Sequence, residues 1–437
     1  LDRAEQAEEE EAPAPEAEPA SEPEKAALAP KAEDVPHPAP SPSEGISEDR
    51  AERAVDMLRR ALVAALAELG GLEGLDLEGY QPPAVPTPAQ AEEEEAPEEE
   101  KPAITLEPDK SWLDGQTKTK IAKEKWDGTV REIVLGATES DGGTRSHTVT
   151  IGGETAMPYL HFEGSYPHKP VIAIEIQDRR PDDWSDLLME EWGDVMDDPG
   201  EWAKAAEQAG ADLLYLKLSL EDAEGNPTTP EQAVQAVDKV LKASGLPLIV
   251  FGPGQPDADN ELLVEISNKF KGERLLLGVC EEKNYRTIVA SAMADGHVVV
   301  ARTAMDVNLA KQLNILITDM GLSLDNVVMD PTTGALGYGF EYGYSVMERL
   351  RIAALQGDKM TQLPMMVTPG EECWKAKESK VGDDVPEAWG DWETRALAWE
   401  AVTSVMLVES GADLLVLRHP ESVRRVKEAI DDLIDQG

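Results

Sequence analysis

The chain is short of bases, of cysteine and of long apolar runs, and each shortage removes a class of function. Across 437 residues, 40 Lys plus Arg face 87 Asp plus Glu, giving a formal net charge of −47. Such a chain repels polyanions, which excludes phosphate-backbone binding as a default and disfavours docking on an anionic membrane. No stretch of about 18 consecutive apolar residues occurs, so no bilayer-spanning helix is expected. The opening Leu1-Asp2-Arg3-Ala4-Glu5 lacks the basic-then-apolar order of a signal peptide. Only Cys280 and Cys373 carry thiols. Two thiols cannot ligate an iron–sulfur cluster alone or build a disulfide framework, and a reducing, cytoplasmic setting is the plain reading.

What is present divides into two compositions. Residues 1–110 carry 30 acids, 9 bases and 16 of the 31 prolines. The run Ala91-Glu92-Glu93-Glu94-Glu95-Ala96-Pro97-Glu98-Glu99-Glu100 repels itself and cannot bury a core, so the segment reads as an acidic, Pro/Glu-rich, largely disordered N-terminal extension. Inside it, Ser47 can cap a helix whose stripe is Val55, Leu58, Leu62, Leu66 and Leu69, ending at Gly70-Gly71. One such helix near 47–69 is marginal alone, so it is either half of a small helical module or a docking segment. Residues 111–169 read as a linker and a β-hairpin cap. Its strands are Arg131–Gly136 and His147–Gly152, around the turn Asp141-Gly142-Gly143.

From residue 170 onward, short apolar runs alternate with helical patterns. The runs are Val171–Ile176, Asp212–Leu218, Leu248–Phe251, Leu275–Val279, His297–Ala301, Asn326–Met329, Pro364–Val367 and Asp413–Leu417. Helical spacing fills 202–209, 230–243, 259–270, 285–295, 306–320, 342–357, 391–410 and 420–434. Eight such pairs over 170–437 predict an α/β fold, a (β/α)8 TIM barrel whose strands are buried on both faces. An open doubly wound sheet is the alternative. A faint repeat supports the barrel: Ala209-Gly210-Ala211-Asp212-Leu213-Leu214 echoes Ser410-Gly411-Ala412-Asp413-Leu414-Leu415, with glycine ending a helix before each strand.

A barrel works from the loops after its strands, so chemistry is sought there. No histidine pair follows the first run, as metal-dependent hydrolases need, and Arg302 replaces a metal-binding carboxylate after the fifth. Lys217 follows the second run and reads as a salt-bridge partner rather than a Schiff base. Gly370-Glu371-Glu372 would repel a phosphate. Cys280 reads as a small buried hydrophobe, whereas Cys373 sits in a long loop and reads as exposed. His297 reads as packed or capping, and His419 is the histidine with a claim on a ligand. Trp392, Trp399, Val402 and Met406 recur at helical spacing and read as core. The most informative segment is Asp330-Pro331-Thr332-Thr333-Gly334-Ala335-Leu336-Gly337-Tyr338-Gly339. It offers hydroxyls, an apolar lip, and glycines that let backbone approach a flat ligand. An ordinary glycine-rich loop would read the same.

These residues resemble a known family. The run Gly128–Gly136, the run Pro170–Ile176, and the run from Asp330 through Gly339 to Glu341-Tyr342 and Tyr344-Ser345-Val346-Met347-Glu348-Arg349 carry the likeness. They are similar to the small subunit of the corrinoid/iron–sulfur protein. That family is also called the delta subunit of the acetyl-CoA decarbonylase/synthase (CO dehydrogenase/acetyl-CoA synthase) complex. The resemblance covers about residues 127–435 and leaves the acidic extension out. It implies a TIM barrel paired with a large subunit that holds a 4Fe–4S cluster and a corrinoid. The pair carries a methyl group from a methyl-tetrahydropterin, with a methyltransferase, to acetyl-CoA synthase in the Wood–Ljungdahl pathway. The chain lacks an Asp-x-His-x-x-Gly corrinoid signature and enough cysteines for a cluster, so its implied share is a mouth that covers the corrin ring. Candidate contacts are Asn284, Thr303, Asp306, Asn308, Asp330, Thr332 and Thr333, with Gly334 and Gly337 for clearance. No catalytic or metal-ligating residue is assigned. Two further readings stay open: the barrel itself binds methyl-tetrahydropterin through Asp330 and Asn284 and catalyses transfer, or the chain is a structural subunit whose acidic arm spaces its neighbours.

Overall fold

The computed structural model describes residues 123–435. The acidic extension at 1–110, its helix near 47–69 and the linker up to residue 122 lie outside the described residues.

Two short strands open the described chain, β1 (Ile133–Leu135) and β2 (Val149–Ile151), paired antiparallel with Ile133 opposite Ile151. Eight parallel strands follow. They are β3 (Val171–Gln177), β4 (Leu213–Lys217), β5 (Leu248–Phe251), β6 (Leu276–Cys280), β7 (Val298–Arg302), β8 (Val327–Asp330), β9 (Met366–Val367) and β10 (Leu414–Leu417). Their order is β8-β7-β6-β5-β4-β3-β10-β9. A parallel bridge between Met329 and Met365, with Met329 N donating to Pro364 O at 2.9 Å, joins the two ends. The ring is closed, as the alternating pattern predicts, and the open-sheet alternative falls away.

The principal outer helices are α2 (Pro199–Gln208), α3 (Pro230–Ala243), α4 (Pro256–Lys269), α5 (Tyr285–Asp295), α6 (Val307–Asp319), α7 (Phe340–Leu355), α10 (Trp392–Glu409) and α11 (Pro420–Asp435). Two, α2 and α4, begin three residues earlier than their apolar periodicity suggests. Proline at the first helical position is the reason, since its missing N–H costs nothing there and its φ is already helical. Asp198 caps α2 through Gly200 N and Glu201 N, and a Thr229–Gln232 capping box starts α3. Three short helices escape the sequence pattern: α1 (Asp186–Trp192) after β3, and α8 (Pro369–Cys373) and α9 (Lys377–Lys380) after β9. Each is too brief to show a period.

The faint repeat has a structural counterpart. Gly210 and Gly411 adopt φ of 93° and 103°, where a side chain would be strained. The aspartate two residues later then accepts a strand N–H: Asp212 from Ile172 at 2.9 Å, and Asp413 from Met365 at 2.6 Å.

Two cores hold the barrel. Inside the ring, Tyr215, Phe251, Ile249, Val300 and Val416 pack with Ile133, Leu135 and Ile151, so the hairpin plugs one end of the barrel. A Cβ on Gly278 would run into the Phe251 ring, which is why this strand position is glycine. Between ring and helices lies the larger layer, with Trp202, Leu188 and Met196 fully buried. Each such side chain contributes about 1.5–3 kcal/mol by leaving water. Two expectations about packing are overturned. Val402 is 46 % exposed and Trp399 only half-buried, because α10 turns its small-residue face, Ala396, Ala401, Thr403 and Ser404, toward the barrel. Cys373 is fully buried, not exposed, since α8 folds its loop inward and its Sγ lies 3.5 Å from Trp399 O.

Candidate functional site at the barrel mouth

The strand C-termini form a mouth with two unlike halves. In one half the charges are paired. Arg418, after β10, donates from Nε and Nη2 to the Glu175 carboxylate of β3 at 2.8 and 2.9 Å. Lys217, at the end of β4, donates to Glu371 of α8 at 2.8 Å, and Lys375 reaches the same oxygen at 3.0 Å. Burial alone would raise the Glu371 carboxyl, but Lys217, Lys375 and Arg418 hold it far below the usual range. Lys217 is therefore a salt-bridge residue, as its place on an early strand suggests.

The other half, above β6, β7 and β8, is open. A cavity of about 240 Å³ lies between the loops after these strands and α6. Arg302 ends β7, lines the cavity, and sets its Nε 3.4 Å from Asp330 Oδ2 at the end of β8. Asp330 is fully buried, which raises its carboxyl while Arg302 opposes the rise. Asp330 in turn holds the guanidinium protonated against the cost of burial. Asp330 Oδ1 accepts from Thr332 N at 2.9 Å, and Thr332 Oγ1 donates to Thr303 O at 2.5 Å, which ties the two loops together. These bonds hold Thr332 at φ 65°, a rare conformation for a β-branched residue and one that clusters at functional sites. Beside this ion pair, the buried Thr303 Oγ1 has no hydrogen-bond partner among the described residues, and Asp330 Oδ2 has only the long Arg302 contact. Such orphaned groups fit a mouth that meets a polar ligand.

The candidate residues divide by what they touch. Thr303 and Thr332 line the cavity, and Asp330 stands behind Arg302. Asn284 is buried and spent within its own loop, Nδ2 donating to Val279 O at 2.8 Å and Oδ1 accepting from Glu281 N at 2.7 Å. Asp306 caps α6 by accepting from Asn308 N and Leu309 N, and Asn308 is exposed in the first turn. Thr333 is buried and its Oγ1 accepts from Thr368 N at 2.8 Å. Gly334 lets the loop fold on itself, since a Cβ there would sit 2.5 Å from Gly339 C. Gly337 has φ 76° and stands at the lip beside Trp399. Sequence reasoning saw Arg302 only as a missing carboxylate, and it overlooked Leu309, Leu313 and Leu316 of α6, which form the apolar wall. Their i, i+4, i+7 spacing was the available signal.

The remaining titratable candidates are quiet. Both thiols are pushed well up by burial, so neither is an activated nucleophile. His419 is buried, which lowers its imidazole to about 4, and its Nδ1 accepts from Glu421 N at 3.1 Å as a cap of α11. His297 accepts from Leu275 N at 3.1 Å and is packed, as expected. Among the described residues, no group of three or more His, Cys, Asp and Glu is placed to hold a metal ion. None of the described helices is long and apolar enough to cross a membrane.

The family model described as CO dehydrogenase/acetyl-CoA synthase delta subunit matches residues 132–428. The acetyl-CoA decarbonylase/synthase complex subunit delta of Archaeoglobus fulgidus is 39% identical over 320 residues, 71% of this chain and 70% of the relative. Its counterpart in Methanopyrus kandleri is 38% identical over 306 residues, 70% of this chain and 75% of the relative. Among solved structures, a dihydropteroate synthase from Coxiella burnetii in complex with pteroic acid is similar with a TM-score of 0.43 and 14% identity, covering 70% of this chain and 99% of that one. With a family model over residues 132–428 and relatives above a third identical, the chain belongs to the CO dehydrogenase/acetyl-CoA synthase delta subunit family.

Proposed function

We propose that the chain is the small subunit of a corrinoid/iron–sulfur methyl carrier within an acetyl-CoA decarbonylase/synthase complex. It pairs with a large subunit that bears the corrinoid and the 4Fe–4S cluster, and its open half-mouth covers the corrin face. Methyl transfer from a methyl-tetrahydropterin, with a methyltransferase, toward acetyl-CoA synthase/CO dehydrogenase subunits is the reaction it supports. The observation that carries this reading is the build of one loop. The chain between β8 and α7 gives Thr332 to the cavity and Tyr338 to the surface, and the first turn of α7 adds Tyr342, the two tyrosines being 52 % and 65 % exposed. A flat macrocycle with an apolar face and a polar edge fits such a lip beside a cavity.

When bound, the corrinoid supplies the cobalt that carries the methyl group. This chain's residues exclude water and orient. Leu309, Leu313 and Leu316 offer an apolar wall, and Arg302 a fixed donor. The thiols stay protonated and the carboxylates of Glu175 and Glu371 are tied to cations, so none of these four groups serves as an acid or base for the transfer. Catalysis by the barrel itself, through a pterin held by Asp330 and Asn284, loses support because the Asn284 amide is spent within its loop.

The test uses the full chain and a corrinoid-loaded large subunit. The pair is expected to elute as a heterodimer and to lose corrinoid to an excess of apo-acceptor more slowly than the large subunit alone. An unchanged rate of loss, or no complex, would overturn the reading.

A further inference from the structure

Arg302 is the most unusual group in the open half of the mouth. Its guanidinium carries five N–H donors, yet among the described residues its one close partner is the Asp330 carboxylate at 3.4 Å, and its side chain is 23 % exposed. Arg302 lines the cavity, and its other donors make no bond to a described residue. Glu281 lines the same cavity, and its carboxylate takes no hydrogen bond from any described residue. Fixed donors and a free acceptor therefore share one small space. Thr303 adds a hydroxyl without a partner, so turning it toward the cavity sacrifices no bond. The three leucines of α6 complete an apolar wall.

The charge balance narrows the ligand. Asp330 already neutralises Arg302, and Glu281 and Glu282 outnumber Lys283. A carboxylate or phosphate entering here would meet a net negative surround. A free ammonium has donors only, so it could pair with Glu281 but would leave the remaining Arg302 donors without an acceptor. The group that satisfies both sides is neutral and planar, with a carbonyl oxygen beside an N–H: a primary carboxamide, its C=O accepting from Arg302 and its NH₂ donating to Glu281. We propose that this cavity is a carboxamide-binding socket. Resting on the reading above, its natural occupant is a side-chain carboxamide of the corrin periphery, so the socket fixes how the ring is turned on the mouth.

Nicotinamide and nicotinate are suitable probes, because they share a flat body for the leucine wall and differ only at the head group. Saturation-transfer NMR on the full chain is expected to show nicotinamide binding and little from nicotinate. Arg302→Lys keeps the charge beside Asp330 but removes the planar fork, and should weaken nicotinamide by about tenfold, the size of one charge-assisted hydrogen bond. Glu281→Gln removes the negative acceptor and should narrow the preference for amide over acid. Nicotinate binding as well as nicotinamide, or equal nicotinamide binding by both variants, would overturn the socket. The heterodimer separates the two layers of the argument. Faster corrinoid loss from the Arg302→Lys pair than from the wild-type pair assigns the socket to the corrin. Equal loss from both, with slow loss in wild type, overturns that assignment while the covering role stands. If the wild-type chain fails to slow corrinoid loss yet binds nicotinamide in a variant-sensitive way, the covering role falls and the socket stands.

Discussion

The two halves of the barrel mouth carry similar residue types and do opposite things with them. Above β3, β4, β9 and β10, the strand-end cations are paired: Arg418 with Glu175, and Lys217, together with Lys375, with Glu371. Above β6, β7 and β8, Arg302 and Asp330 meet only beyond ideal hydrogen-bond distance, Glu281 has no side-chain partner among the described residues, and the Thr303 hydroxyl is orphaned beside a cavity. A buried polar group without a partner costs on the order of 1–3 kcal/mol, so the open half is a place where stability has been left unclaimed. The paired half is built as architecture, and the open half is the surface we propose for the partner.

The sharpest way to break that contrast is to remove a charge from the paired half. Arg418→Met would leave Glu175 buried without its bidentate partner and strip a guanidinium 4.6 Å from the Trp184 ring. It should cost about 3–5 kcal/mol in urea unfolding. A loss no larger than that of a surface variant would mean that the paired half is not structural.

Lys217→Met is the next test and has a pH signature. The Glu371 carboxyl is depressed in the folded state below its ordinary value of 4.5. Its ionised form therefore adds stability that is present above pH 4.5 and is lost as pH falls toward the folded value. The wild type should exceed the variant by about 1 kcal/mol at pH 7. The gap should begin to narrow below about pH 4.5 and keep narrowing as the solution is made more acidic. A gap independent of pH would show that the lysine acts by packing.

The smallest effect belongs to the open half. Thr303→Val removes a hydroxyl that makes no bond. It should be neutral, or stabilising by about 0.5–1 kcal/mol, in the same unfolding measurement. A clear loss of stability would reveal a partner for Thr303 and shrink the contrast between the halves.

How legible each half was depends on distance along the chain. The pairing of Glu175 with Arg418 spans 243 positions, so nothing local announces it. Lys217 was legible as a salt-bridge residue because a lysine ending an early buried strand must be neutralised. In the open half, the glycine-rich run after β8 announced itself by composition, and two of its neighbours, Thr303 and Thr332, do line the cavity. Asn284, Thr333 and Gly334 bear the same side-chain types, but the loop uses them to hold its own shape. Sequence gives a residue's donors and acceptors, not which are already spent.

By itself, the sequence determined the alternation of eight strands and eight helices, the plugging hairpin and the family, because those rest on periodicity, turn chemistry and long motifs. Only the tertiary structure decided which half of the mouth stays open. Ring closure brings residues from opposite ends of the chain within hydrogen-bond reach, and that reach alone settles which charges are spent on the fold and which are left for a partner.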